Sequence, residues 1–328
     1  MGAPPIFVSV SDTQAVLEPI DVVRQCEQAL RWDAAGAIQW PAPRSLNIAP
    51  DRWGNDYHMK ACVLEEVPVA GLRLVSHPLD ESSPICTRLI LLIDPATSLP
   101  LAIVDESWNY AQRTVASIAL ASRHLARDDA STLAIVGAGR LARTAIDYFA
   151  TQFPLGEIRI AARREESRRM LGEEVAARME VNVVVTDRIE DAVSGADLVL
   201  TATSSTEAVL RDDWVGPGAV VACVGTAEPG RELAERCDLF VVDSREQLRK
   251  ELVSEYGESA PDWIDATVGE IVAGSHPGRT SADQRALIIT EGLASQDIAI
   301  AYLAYSRVRE RGTGLPLPVA AAELVAAS

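Results

Sequence analysis

The chain has little of what marks secreted, metal-holding or membrane proteins. Its five cysteines (Cys26, Cys62, Cys86, Cys223, Cys237) are scattered over 328 residues with no CxxC pair. Such spacing suits reduced, mostly buried thiols rather than a disulfide framework. Four histidines offer no HxxxH pattern, so no metal centre is expected. No apolar run approaches the ~18 residues of a membrane span. Met1 to Val10 has neither a basic start nor a long apolar core, so no secretory signal is expected. The expectation is a cytoplasmic protein without a membrane partner. Positive charge is also scarce, and the net charge is −17. That balance argues against nucleic acid as a partner, and leaves room for a locally basic site that takes a small molecule.

The length is enough for two domains and a sizeable core, with 48% hydrophobic residues. The chain is organised around Leu133-Ala-Ile-Val-Gly137-Ala-Gly139-Arg140-Leu141-Ala142. A short apolar strand ends in glycines and passes directly into a helical pattern. This is the logic of a dinucleotide site. Gly137 permits a tight turn, and Gly139 lets backbone amides approach a pyrophosphate. The helix opening at Arg140 and Leu141 presents unpaired N–H groups and a positive dipole end. Ala142 stands where a third glycine often sits.

A second apolar strand, Glu157 to Ala162, follows one helix later, and its end selects the cofactor. A chain favouring NAD places an acidic residue there for the ribose 2′-hydroxyl. Here the residues are Ala162-Arg163-Arg164. Two guanidinium groups and no carboxylate suit a 2′-phosphate, so NADP(H) is expected, with NAD(H) as the lesser possibility.

Read in order, Asp12 to Leu30 has the spacing of one helix, and Trp40-Pro-Ala-Pro43-Arg44 is an extended segment leading to Arg44. Apolar stretches from Tyr57 to Ile93 and from Leu101 to Val104 predict a mostly antiparallel sheet. Ala111 to Ala126 is a long helix that leads to the glycine turn. Val181 to Thr186, Ala196 to Thr203, Ala219 to Val224 and Leu239 to Val242 continue a parallel set. Ligands of such sheets lie beyond the carboxyl ends of the strands, which makes Thr203, Ser204, Val224 and Gly225 candidates to line a cofactor cleft. Leu293 to Arg309 is a helix expected to rejoin the first domain. The fold class is therefore α/β, a Rossmann-type doubly wound parallel sheet plus a smaller α+β domain for substrate binding and dimerisation. The expected division is residues 1–126 with 295–328, and residues 127–294.

Several motifs together resemble the ornithine cyclodeaminase/mu-crystallin family. They are Gln112-Arg113-Thr114 with its helix and the glycine turn, Ala196-Asp197, Thr201-Ala-Thr203-Ser204, Trp214-Val-Gly-Pro217-Gly218, Arg231-Glu232-Leu233, Val241-Val-Asp243 and Gly292-Leu-Ala-Ser-Gln-Asp297. The resemblance spans nearly the whole chain. It implies a homodimer that holds a small amino or imino acid against a nicotinamide ring. It also implies that Arg44, after Pro43, and Arg113 bind the substrate carboxylate, with Thr114 on the pyrophosphate. Two departures bear on mechanism. Arg73 stands where the family usually has lysine, and arginine does not release a proton near neutrality. Ala227 stands where cyclodeaminases have aspartate, with Glu228 one residue away.

The expectation is thus an NADP(H)-dependent oxidoreductase acting on the C–N bond of an α-imino or cyclic ketimine acid, or an amino-acid dehydrogenase in reverse. Arg44, Arg73 and Arg113 would hold the carboxylate, and Lys60 would be the proton donor. The alternatives are a cyclodeaminase with Glu228 or Lys60 rewired, a siderophore-pathway synthase suggested by Ala142-Arg143-Thr144, and a protein that binds NADPH and a small ligand without turnover.

Overall fold

A computed structural model describes residues 4–50, 55–78 and 86–318. The chain divides into two units, Met1–Arg113 with Leu293–Ser328, and Thr114–Gly292.

The first unit opens with β1 (Ile6–Val8), α1 (Val10–Val16) and α2 (Pro19–Ala34). Where one helix was expected there are two, because Leu17 and Glu18 leave helical geometry ahead of Pro19. Proline has no N–H to donate and fits the first turn of a new helix. Strands β2 (Ile38–Gln39), β3 (Ser45–Ile48), β4 (Asn55–Leu64), β5 (Val69–Pro78), β6 (Thr87–Ile93) and β7 (Pro100–Asp105) follow, and then α3 (Asn109–Leu125), within which the unit boundary falls.

The second unit continues with β8 (Thr132–Val136), α4 (Arg140–Gln152), β9 (Glu157–Ala161), α5 (Glu165–Arg178), β10 (Asn182–Thr186), α6 (Ile189–Val193), β11 (Leu198–Thr201) and β12 (Val220–Cys223). It closes with α7 (Arg231–Arg236), β13 (Leu239–Val242), α8 (Arg245–Tyr256), β14 (Ala266–Thr267), α9 (Val268–Val272) and β15 (Ala286–Ile289). The chain then returns to the first unit with α10 (Ala294–Glu310) and β16 (Leu315–Pro316).

The sheet of the first unit runs β16-β1-β7-β6-β5-β4-β2, with β3 also on β4. It is antiparallel except where β1 meets β7. Alternation assigns its faces. Lys60, Cys62 and Leu64 on β4 share a buried face with Val69, Gly71, Arg73 and Val75 on β5 and with Ile90 and Leu92 on β6. Helix α10 lies against that face. At Gly71 a Cβ would sit 2.5 Å from Cγ1 of Ile298, so only glycine admits the helix this closely.

The opposite face is apolar and half-exposed among the described residues. Met59, Leu74 and Leu89 form one cross-strand row, and Ala61, Leu72, Leu91 and Ile103 form the next. Leu46 and Ile48 on β3 extend it, and both are 53% exposed.

The second unit is an all-parallel sheet in the order β10-β9-β8-β11-β12-β15-β13-β14. Strands β8, β11, β12, β13 and β15 are nearly continuous buried apolar runs, as sheets covered on both faces require. Ala286–Ile289 inserts as a strand between β12 and β13, out of sequence order. Asp197 pins the start of the sheet by accepting from the Ser131 and Thr132 amides and from Arg127.

Candidate active site

The order of the parallel sheet reverses between β8 and β11, the switch point beyond which ligands of such sheets bind. Gly137 turns the chain there with φ 120°, and a Cβ would collide with the Ala202 carbonyl oxygen. Only glycine meets both demands. Gly139 is the N-cap of α4, and no atom lies within 4 Å of the place a Cβ would take. Arg140 and Leu141 open the helix, so their amides lie in its first turn. Ala142 is fully buried beneath them. The residues therefore fit a pyrophosphate: a tight turn, open space and a helix N-terminus. Thr114 is buried on α3.

At the end of β9, Arg163 and Arg164 are exposed, and neither guanidinium has a hydrogen-bond or ion-pair partner among the described residues. Arg168 donates to the Ala162 and Arg163 carbonyls, which shapes this corner from below. Arg143 is differently placed, since it pairs with Glu174 on α5.

Thr203, Ser204, Val224 and Gly225 follow β11 and β12 as expected, but a residue beside them has a different task. Glu228 is fully buried. Its carboxylate accepts from the Thr201 hydroxyl at 2.8 Å, from the Thr203 amide and hydroxyl at 2.7 Å each, and from the Gly225 amide at 2.7 Å. It ties the two strand exits together, and the Thr203 hydroxyl is engaged there too. A cleft of about 410 Å³ opens beside Gly225, lined in part by Ser205, Thr226, Lys250 and Ser254.

The substrate candidates lie in the first unit. Lys60 and Arg73 are directly opposed on β4 and β5 and are 7% and 6% exposed. Arg73 forms a double hydrogen bond to Glu106, with Nε at 2.7 Å from Oε2 and Nη2 at 2.5 Å from Oε1. Arg113 on α3 donates from Nε to Oδ1 of Asp297 on α10 at 2.7 Å. Oδ2 of Asp297 is 3.5 Å from Nε of Arg73 and has no hydrogen-bond partner. Two guanidinium groups and two carboxylates thus form one buried, formally neutral cluster.

Their ionisation follows from this packing. Burial alone would lower Arg73, but Asp297 and Glu106 outweigh it and hold its pKa above the usual value. Arg113 is likewise raised, burial opposing and Asp297 prevailing. Burial, then repulsion from Asp297, pushes the Glu106 carboxyl up to about 7 against the pull of Arg73.

Arg44 is carried by its own segment, just ahead of β3. Its guanidinium carbon lies 4.3 Å from the Trp40 ring centroid, and Nη1 is 3.7 Å from Oδ2 of Asp33. Tyr110, by contrast, is central. Its ring lies 6.0 Å from the Arg73 guanidinium carbon, 5.9 Å from that of Arg113 and 4.4 Å from that of Arg88.

Three participants escaped the sequence reading. Glu106 and Asp297 were not seen as partners, because they lie 33 and 184 positions from Arg73 and Arg113 respectively. Arg88 was missed although strand alternation carries the signal: it lies opposite Val75, two residues from Arg73, on the same face. The expectation of no metal-ligand grouping was also too simple. Asp56, His58 and His77 converge, with ligand atoms within 4.8 Å of one another. His77 Nε2, however, accepts from Nη2 of Arg88 at 3.1 Å, and a fixed cation already occupies that side.

The chain is similar to known proteins over nearly its whole length. A profile described as the ornithine cyclodeaminase/mu-crystallin family matches residues 5–312. An alanine dehydrogenase of Archaeoglobus fulgidus is 25% identical, covering 94% of this chain and 97% of the relative. The ketimine reductase mu-crystallin of Mus musculus is 33% identical over 66% of this chain and 68% of the relative. Among solved structures, the Thermococcus litoralis Δ1-pyrroline-2-carboxylate reductase in complex with NADH and L-proline aligns with a TM-score of 0.88 at 25% identity. That alignment covers 95% of this chain and all of the other.

Proposed function

The chain belongs to the ornithine cyclodeaminase/mu-crystallin family and is an oxidoreductase, and from that premise we propose an NADP(H)-dependent reductase of α-imino or cyclic ketimine acids. The reverse reaction would be an amino-acid dehydrogenation. Gly137, Gly139 and the amides of Arg140 and Leu141 would hold the cofactor pyrophosphate together with Thr114, while Arg163 and Arg164 would take the 2′-phosphate. Thr203, Ser204, Val224 and Gly225 would line the cleft. When bound, the cofactor supplies the electron pair that converts C=N to CH–NH.

The chain's own part is to bind, orient and handle a proton. Arg73 and Arg113 would direct their remaining N–H groups at the substrate carboxylate, a match that guanidinium makes well. Arg44 would close the clamp from its own segment. Lys60, buried beside Arg73, would pass the proton to the nascent amine. Orientation of this kind contributes up to ~7–11 kcal/mol of barrier reduction in well-aligned systems.

The observation that carries the reductase reading over the cyclodeaminase one is the Glu228 carboxylate. Four donors engage it between the strand exits, so it is held as a structural tie rather than as a base. The names of relatives support the same chemistry, among them a Δ1-pyrroline-2-carboxylate reductase of Bacillus cereus. A homodimer in the cytoplasm is part of the proposal. The half-exposed apolar face around Leu72 and Leu91 would form the subunit contact, since exposed apolar patches mark interaction sites. One relative of the fold, an archaeal alanine dehydrogenase, is described as a dimer with bound NAD.

The test is a screen of cyclic ketimine acids, and of pyruvate or glyoxylate with amines, while NADPH absorbance is followed. Consumption matched by amine product supports the reading. Cofactor binding without turnover of any imine would support a binding protein instead.

A further inference from the structure

We infer that Arg88 is a specificity residue that recognises a second carboxylate, carried on the side chain of the imino acid. This deepens the proposed function, because it rests on the Arg73–Arg113 cluster being the substrate half-site.

Charge accounting within the cluster is the starting point. Arg73 and Arg113 each face a buried carboxylate, Glu106 and Asp297, and the four charges cancel. Arg88 has no such partner. No ion pair ties it to a carboxylate among the described residues, and its Nε is buried with no hydrogen-bond partner. Among the described residues its side-chain hydrogen bond runs from Nη2 to Nε2 of His77 at 3.1 Å. Burial, reinforced by the Arg88 charge, lowers the His77 imidazole below its usual value, so it meets Arg88 as a neutral acceptor. A buried guanidinium N–H left without an acceptor is costly, and an acceptor brought by a ligand would relieve it.

Its place in the sheet says what that anion belongs to. Arg88 shares the inner face with Arg73, one cross-strand row away, and both approach the ring of Tyr110. The Tyr110 ring fixes the plane of the Arg88 guanidinium at 4.4 Å. His77 fixes its roll. His77 is in turn steadied by Asp56, whose Oδ1 accepts from the His77 amide at 3.3 Å and whose Oδ2 is 2.9 Å from His58 Nε2. A planar fork held in one orientation, positive and offering donors only, selects a planar acceptor carrying negative charge. The substrate class is therefore an imino acid with a second carboxylate, giving an acidic amino acid on reduction. His77 acts as a positioning residue, since it reaches the ligand only through Arg88.

The test uses the full chain with NADPH. Reductive amination is compared for oxaloacetate and 2-oxoglutarate, each with a second carboxylate, and for pyruvate and 2-oxobutyrate, each without one. The wild-type protein should favour a dicarboxylate by about tenfold or more in kcat/KM, mainly through KM. In Arg88→Met the ratio of dicarboxylate to monocarboxylate kcat/KM should fall about 30-fold or more, and Arg88→Lys should restore part of it. Equal losses on both substrate classes, or an unchanged ratio, would overturn the inference. Binding of succinate and glutarate against propionate and butyrate to the NADPH-loaded protein, by calorimetry, gives a readout free of turnover. If no imine is reduced, the reductase reading fails, and this binding still decides Arg88: dicarboxylate selectivity lost in Arg88→Met sustains it, and no selectivity ends it.

Discussion

Nε and Nη2 of Arg73 close a two-pronged hydrogen bond on the Glu106 carboxylate, at 2.7 and 2.5 Å, in a setting where both side chains are almost wholly buried. Arg73, at the place where the family resemblance implies a lysine, thus has an acid to match it. An ammonium that could release a proton is exchanged for a guanidinium that does not, and the titratable role within the pair passes to Glu106. This relationship gives the site a pH dependence that a lysine would not.

The sign of that dependence is fixed. Burial and Asp297 raise Glu106 from the ordinary carboxylate range to about 7 in the folded protein. A carboxyl raised on folding contributes stability below its unfolded pKa, and that contribution is lost as pH rises through about 7. The native state binds more protons in this window, so its stability falls with pH. Urea midpoints taken at pH 5 and pH 8 should show a drop in the wild-type protein that Glu106→Gln makes shallower. Parallel pH trends in the two proteins would remove Glu106 as the titrating group.

On the proposed reading, the exposed Arg163 and Arg164 beyond β9 set the cofactor preference. NADPH should bind at least about tenfold more tightly than NADH, and Arg163→Asp should reverse the order by supplying the missing carboxylate and repelling a 2′-phosphate. Titration calorimetry with both cofactors measures this directly. Equal affinities in the wild-type protein would dissolve the argument from Arg163 and Arg164.

The Glu228 carboxylate anchors two strand exits, so its removal should damage structure before chemistry. Glu228→Ala leaves donors of Thr201, Thr203 and Gly225 unsatisfied and should cost about 3 kcal/mol of stability. Denaturant unfolding checks the loss. A variant as stable as the wild-type protein but catalytically dead would instead place Glu228 in the reaction.

The half-exposed sheet face makes a separate prediction. Leu72 is 41% exposed at the centre of the apolar rows. Leu72→Asp should convert a dimer to monomers by light scattering, because a charge in a buried interface core is expensive. A dimer that persists in Leu72→Asp would move the subunit contact elsewhere.

These residues also show where sequence reasoning holds and where it stops. The glycine turn, the strand before it and the arginines after β9 were all legible, because backbone geometry and a twenty-residue spacing encode them locally. The antiparallel sheet was legible from its apolar runs. The break at Pro19 was not, because helical spacing continues across it while the backbone cannot. Strand β15 was hidden by its place between β12 and β13, out of sequence order. In the site, Arg73 and Arg113 could be named from motifs. Their partners Glu106 and Asp297 could not, since the pairings join residues 33 and 184 positions apart. Glu228 was visible as an acid near the right place, and only its four donors reveal what it does.

The central claim is two-electron reduction at a carboxylate-bearing carbon–nitrogen double bond. Its most direct measurement gives the protein a cyclic ketimine acid with NADPH, and in parallel ornithine with no added cofactor, quantifying amino acid and ammonia in each. The account predicts amino acid formed one for one with NADPH consumed in the first, lost in Arg113→Ala, and no multiple-turnover release of ammonia in the second. Proline and ammonia accumulating over many turnovers from ornithine alone would contradict it.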